Sequence, residues 1–255
     1  MSTLLKNKVA IVTGSAQGIG EATSEVLSRE GALVMMCDIN SRKLIDTVRN
    51  ISQKTGNICN AHKVDVTNEA QVIKTVQEIV RKYKKVDILV NCAGIAAKLT
   101  PVTKINEEDW DKVFAVNVKG PLFFIKAVGK IMMRNKEGKI INLSSDAGKK
   151  AEFQEAIYCS SKSALIGLTR VVALELGPYN INCNAICPGA VDTPMLRNNY
   201  LTTPDKEKEF AESTALKRIA KPIDIANVIL FLSSYLSDHV TGEIILVTGG
   251  GLMGE

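Results

Sequence analysis

Tyr158 and Lys162 stand four residues apart, and Ser145 stands thirteen residues before the tyrosine. Residues four apart on a helix share a face, so a helix here would stack the phenol beside the ammonium. Ser145 lies just past Lys139-Ile140-Ile141-Asn142-Leu143, an apolar run that reads as a buried strand. A hydroxyl at that strand end would face the Tyr–Lys pair on the next helix. Such a trio suits proton transfer at a carbonyl or an alcohol. A free phenol, with a pKa of about 10, is a poor base at neutral pH. A neighbouring ammonium favours the phenolate and lowers that pKa, so the spacing predicts an activated Tyr158.

The elements that must position this trio follow from the alternation of short β-branched runs with amphipathic stretches. Strands are expected at 9–12, 33–36, 62–64, 86–90, 139–143 and 181–186, and helices at 18–30, 41–53, 69–83, 107–134 and 157–176. Strands alternating with helices imply a parallel sheet covered on both faces. Right-handed crossovers make it a doubly wound α/β sheet of the Rossmann type. No linker or repeat divides residues 1–255, so one domain is expected. Only 189–221, with Pro194, Pro204 and a charged run at 205–209, breaks the rhythm. It reads as a helical substrate lid beyond the carboxyl ends of the strands.

Thr13-Gly14-Ser15-Ala16-Gln17-Gly18-Ile19-Gly20 follows the first strand and opens the first helix. In that context a glycine-rich loop lets backbone approach a pyrophosphate, while the helix N-terminus supplies N–H groups and a positive dipole end. Asp38 ends the second strand. A carboxylate there can accept from adenosine ribose hydroxyls and would repel a 2′-phosphate, which favours NAD over NADP. Arg42 is close enough in sequence to offset it in part.

Composition narrows the alternatives. The chain has 45% apolar and 23% charged residues and a net charge of +5, with the two signs interspersed. Nucleic acid or an anionic membrane surface is therefore not the expected partner. No apolar run reaches the length of a membrane span, and Met1–Lys8 lacks the core of a signal peptide. Six scattered cysteines without a CxxC pair, with only two histidines, give no metal pattern and fit a reducing, cytoplasmic setting.

Taken together, these motifs resemble the classical short-chain dehydrogenase/reductase family over nearly the whole chain. The loop 13–20 is similar to the family's cofactor loop. Asp65-Val66 is similar to its adenine-contacting pair, and Asn91-Cys92-Ala93-Gly94 to the element after its fourth strand. Asn117 in Val116-Asn117-Val118 corresponds to the fourth member of a catalytic tetrad with Ser145, Tyr158 and Lys162. Pro188, Gly189, Val191 and Thr193 correspond to the segment that packs on nicotinamide and holds its carboxamide. Thr248-Gly249-Gly250 stands where the family usually has Asp-Gly-Gly, and Ile223 replaces a common Glu. The resemblance implies that Tyr158 is the general base, with Ser145 on the substrate oxygen. Lys162 would lower the tyrosine pKa and hold ribose hydroxyls, and Asn117 would order a water leading to solvent.

For the substrate, residues 146–157 are polar, with Asp146, Glu152 and Glu155 among them beside Lys149 and Lys150. A steroid or long acyl chain would want an apolar lining. A small polyol or sugar alcohol is expected, and Ser145–Cys159 looks like that of NAD-dependent polyol dehydrogenases. Lys149 and Lys150 could instead meet an anionic group. A 3-oxoacyl thioester reductase is the alternative, and a non-catalytic nucleotide-sensing regulator a remote one. Family members are commonly homotetramers, and the broad apolar arc of Ala164, Leu165, Leu168, Val171, Val172 and Leu176 fits burial on two sides.

Overall fold

A computed structural model describes residues 3–201 and 203–253. Seven strands form one parallel sheet in the order β3-β2-β1-β4-β5-β6-β7. They are β1 Val9–Thr13, β2 Leu33–Asp38, β3 Cys59–Lys63, β4 Ile88–Asn91, β5 Gly138–Leu143, β6 Ile181–Pro188 and β7 Ile244–Val247. The chain runs outward from β1 to β3, then returns to lay β4 against the other side of β1, pairing Thr13 with both Cys37 and Asn91. A cleft opens at such a reversal, beyond the carboxyl ends of the strands.

Because both faces are covered, the central strands are apolar on both sides, as a parallel sheet requires. One face buries Val9, Ile11, Leu89 and Ile140 under α3 (Glu69–Tyr83), α5 (Gly120–Asn135) and α6 (Ala156–Leu176). The other buries Ala10, Val12, Val90 and Ile141 under α1 (Gly18–Arg29), α2 (Ser41–Thr55) and α9 (Pro222–Ser233). Element ends differ from the sequence expectation by three residues or fewer.

One expectation needs correction. The stretch 107–134 is not one regular helix: α4 (Glu107–Phe114) passes through a π turn at Ala115–Lys119 before α5. Such an extra residue re-aims side chains, and Asn117 sits within the turn. Ala156–Tyr179 reaches the length and mean hydropathy of a membrane span, 1.2 over 18 residues, but Lys162 and Arg170 interrupt it, so no unbroken apolar run of that length occurs there. It is a covering helix of the sheet, packed on β6 and carrying the buried polar residues Ser161, Lys162 and Thr169.

The segment after β6 forms α7 (Pro194–Asn199) and α8 (Pro204–Glu212). Each begins alike: a threonine hydroxyl caps the helix and a proline holds the first position. Thr193 accepts from the Leu196 N–H and Thr203 from the Lys206 N–H.

Candidate active site

Ser145 leaves the end of β5, and Tyr158 and Lys162 stand one turn apart at the start of α6. All three line one cleft of about 690 Å³ at the carboxyl ends of the strands. The Ser145 hydroxyl donates to Asp146 Oδ1 at 3.1 Å and accepts from the Ala147 N–H at 3.2 Å. The buried Lys162 ammonium donates to the Leu143 carbonyl at 2.9 Å and lies 5.6 Å from the centre of the Tyr158 ring. A second clamp, from the Ser144 hydroxyl to the Lys162 carbonyl at 2.9 Å, ties β5 to the same turn of α6.

Electrostatics differ from the sequence expectation. Burial pushes the Tyr158 phenol above its ordinary range; the nearby Ser145 hydroxyl opposes the rise, and the Glu155 and Asp146 carboxylates add to it. Burial also lowers Lys162 to about 8. Removal from water thus dominates both groups in this environment.

Asn117 is wholly buried behind the cleft wall. Its amide exchanges hydrogen bonds with the Ile95 backbone, accepting at 2.9 Å and donating at 3.0 Å, and donates to Ser161 Oγ at 3.1 Å. It therefore holds the loop after β4 against α6. Asn91 is likewise off the cleft surface. Its amide donates to Asn142 Oδ1 at 2.9 Å, bracing β4 on β5, while its own Oδ1 has no partner.

The remaining predicted cofactor residues line the cleft. Gly14, Gln17, Gly18, Ile19, Gly20 and Asp38 form one end, with Asp65 and Val66 beside them. Ala93, Gly94, Pro188, Gly189, Val191 and Thr193 continue the wall toward Tyr158. Asp38 is fixed by two backbone donors, Ala16 N–H at 3.0 Å and Asn40 N–H at 2.9 Å. The cradle is shaped for close approach. Gly18 has φ +61°, and a Cβ there would press on the Thr193 methyl at 3.3 Å. At Gly94 a Cβ would meet Asn117 Oδ1 at 3.3 Å and Lys162 Nζ at 3.5 Å. Such a groove, with a carboxylate at one end and a phenol–ammonium pair at the other, fits a dinucleotide laid across the sheet.

Several contributors carried no clear sequence signal. Thr13 Oγ1 accepts from the Cys92 and Ala93 N–H groups at 3.1 and 3.0 Å, fixing the wall opposite the glycine loop. Lys43, rather than Arg42, reaches the Asp38 end, donating to Gln17 Oε1 at 2.6 Å. Tyr200 and Phe210 enter from α7 and α8. Lys149 is exposed and off the cleft. Lys150 lines it but pairs with Asp146 at 3.1 Å and Glu152 at 2.7 Å, so its charge is already matched. Among the described residues no cluster of His, Cys, Asp and Glu is arranged to hold a metal.

Comparison with known proteins agrees with this geometry. A family model described as enoyl-(acyl carrier protein) reductase matches residues 14–251. The chain is 38% identical to the 3-oxoacyl-[acyl-carrier-protein] reductase of Thermotoga maritima, over 96% of this chain and 98% of that one. It is 37% identical to the galactitol 2-dehydrogenase of Agrobacterium fabrum, over 98% and 99%. The crystal structure of an NAD+-bound xylitol dehydrogenase superposes with a TM-score of 0.90 at 33% identity, covering 96% of this chain and 99% of that one.

Proposed function

Because the chain belongs to the short-chain dehydrogenase/reductase family of nicotinamide-dependent oxidoreductases, we propose that it interconverts a secondary alcohol and a ketone with NAD. The substrate is a small polyol, sugar or related hydroxy compound. The observation that carries this reading is one cleft with Asp38 at one end and Ser145, Tyr158 and Lys162 at the other.

Gly14, Gln17, Gly18, Ile19 and Gly20 cradle the pyrophosphate, and Asp38 accepts from the adenosine ribose. Asp65 and Val66 flank the adenine. Ala93, Gly94, Pro188, Gly189, Val191 and Thr193 shape the nicotinamide end, with Asn91 bracing the wall from behind. When bound, the oxidised cofactor supplies the hydride acceptor and a positive charge. Tyr158, as phenolate, takes the hydroxyl proton, and in the reverse direction its phenol returns it. Ser145 donates to the substrate oxygen and offsets the charge that develops there. Lys162, held on Leu143, adds a buried cation beside the tyrosine. Asn117 keeps the loop after β4 and α6 in register, so that these groups meet without reorganisation.

Polar groups at the substrate end and the likeness to a galactitol dehydrogenase support a polyol. The likeness to a 3-oxoacyl reductase supports the second reading, a thioester reductase. Asp38 weighs against that second reading where a 2′-phosphate must be accommodated. In our reading the chain is one domain, residues 189–221 act as its substrate lid, and it works in the cytoplasm as a homotetramer. Exposed Val171 and Leu174 on the outer face of α6 favour a subunit contact there.

The deciding experiment is NADH formation by the purified protein on polyols, diols and 3-hydroxyacyl thioesters, with NADP run in parallel. Turnover of polyols with NAD supports the first reading. Turnover confined to thioesters with NADP replaces it with the second.

A further inference from the structure

Glu155 stands at the N-cap of α6, yet its side chain accepts from no N–H of the first turn, the service an oxygen at that position ordinarily gives. It faces the cleft instead, three residues before Tyr158. The other carboxylates at this end are already matched. Asp146 accepts from the Ala147 N–H at 2.9 Å and pairs with Lys150, and Glu152 pairs with Lys150. Glu155 takes part in no ion pair among the described residues.

Tyr200, at the end of α7, stands beside it in the same cleft. The Tyr200 ring packs edge-on against Phe210 of α8, with centroids 6.5 Å apart, and both rings line the cleft. A carboxylate has about four acceptor sites, and those of Glu155 are left for the cleft. Burial raises the Glu155 pKa, in keeping with a group short of donors.

We propose that Glu155 is a specificity-determining residue that accepts hydrogen bonds from substrate hydroxyls beyond the reacting carbon, with Tyr200 steadying it from the lid. This rests on the polyol reading above and deepens it. Donor-rich, uncharged substrates gain an acceptor, whereas hydroxy acids meet a like charge.

The test compares xylitol with cyclohexanol at saturating NAD for the wild-type protein, Glu155→Gln and Tyr200→Phe. The expected result is a fall of roughly tenfold in the kcat/KM preference for xylitol in Glu155→Gln, carried mainly by KM. Tyr200→Phe should move it the same way by less, and it decides the matter if Glu155→Gln does not fold. A wild-type preference for xylitol that both variants keep overturns the role of Glu155 and leaves the polyol reading standing. An equal loss of kcat on both alcohols also overturns it, since that is the mark of a structural position. A wild-type enzyme with no preference for xylitol overturns the polyol reading and the role of Glu155 together.

Discussion

The Lys162 ammonium lies 5.6 Å from the centre of the Tyr158 ring and is anchored on the Leu143 carbonyl, at the strand end that also presents Ser145. One backbone oxygen of β5 thereby fixes the cation beside the phenol. The geometry is set by the sheet, and the trio is assembled before substrate arrives.

Removing the phenol hydroxyl should abolish turnover and leave the fold intact. Tyr158→Phe is expected to lower kcat by roughly 10²- to 10⁴-fold, the usual worth of general acid–base catalysis. NAD binding, followed by calorimetry, should survive. Residual activity within a few fold of wild type would remove Tyr158 from the chemistry.

The raised phenol pKa fixes the direction of the pH profile. Alcohol oxidation needs the phenolate, so its kcat/KM should climb as pH rises above neutrality; ketone reduction needs the phenol and should decline over the same range. The Asp146 carboxylate adds to the rise, so Asp146→Asn should move the oxidation limb to lower pH. A limb that shifts upward in that variant would contradict the electrostatic assignment.

Asp38 should govern cofactor choice. Asp38→Ala removes the carboxylate that faces the ribose end and leaves Lys43 beside it. The kcat/KM ratio of NAD to NADP should fall by roughly tenfold or more, as expected when a like-charge repulsion is relieved. An unchanged ratio would place the discrimination elsewhere.

Stability should decline in alkaline solution. The folded Lys162 value of about 8 lies below its ordinary value of about 10.4, so this group alone favours folding more as pH rises through that window. Burial raises Cys37, Cys92 and Cys183 to about 12. Their contribution is full below the ordinary thiol value of about 8.5 and is lost as pH rises toward 12. Three thiols outweigh one lysine at about 1.4 kcal/mol per proton per pH unit. The thermal midpoint should fall between about pH 9 and 10.5, and Cys183→Ala should flatten the slope. A midpoint that rises across that range would reverse the balance.

The outer face of α6 gives a test of assembly. Val171 and Leu174 are 51% and 79% exposed, enough to make this helix face an apolar patch. Leu174→Glu should reduce the mass seen by light scattering while leaving the circular dichroism spectrum unchanged. A wild-type protein that already scatters as a monomer would end the tetramer proposal.

Much of this site was legible because its signals are local. The four-residue spacing of Tyr158 and Lys162, the strand-loop-helix context of Gly14–Gly20 and the place of Asp38 at a strand end depend on neighbouring residues alone. The π turn left no comparable mark: Val116-Asn117-Val118 reads as ordinary amphipathic helix. The placement of Asn91 behind the cleft, the matched charge of Lys150 and the meeting of Glu155 and Tyr200 in one cleft depend on contacts between distant segments, which periodicity does not encode. The α7 and α8 starts, Thr193-Pro194 and Thr203-Pro204, carry capped helix beginnings that give the helical reading of 189–221 its two separate helices.

The π turn at Ala115–Lys119 also makes the enzyme sensitive to chain length at one place. A helix with one surplus residue there can absorb a deletion by becoming regular, so the molecule would still fold and pack Phe124 and Val128 as before. Everything upstream would rotate by about 100°, one residue's share of a helical turn, and carry Asn117 away from Ile95 and Ser161. A frame-preserving loss of Val118, which leaves Asn117 on the rotated side, is thus a lesion that should cost activity while the sheet and α5 keep their packing.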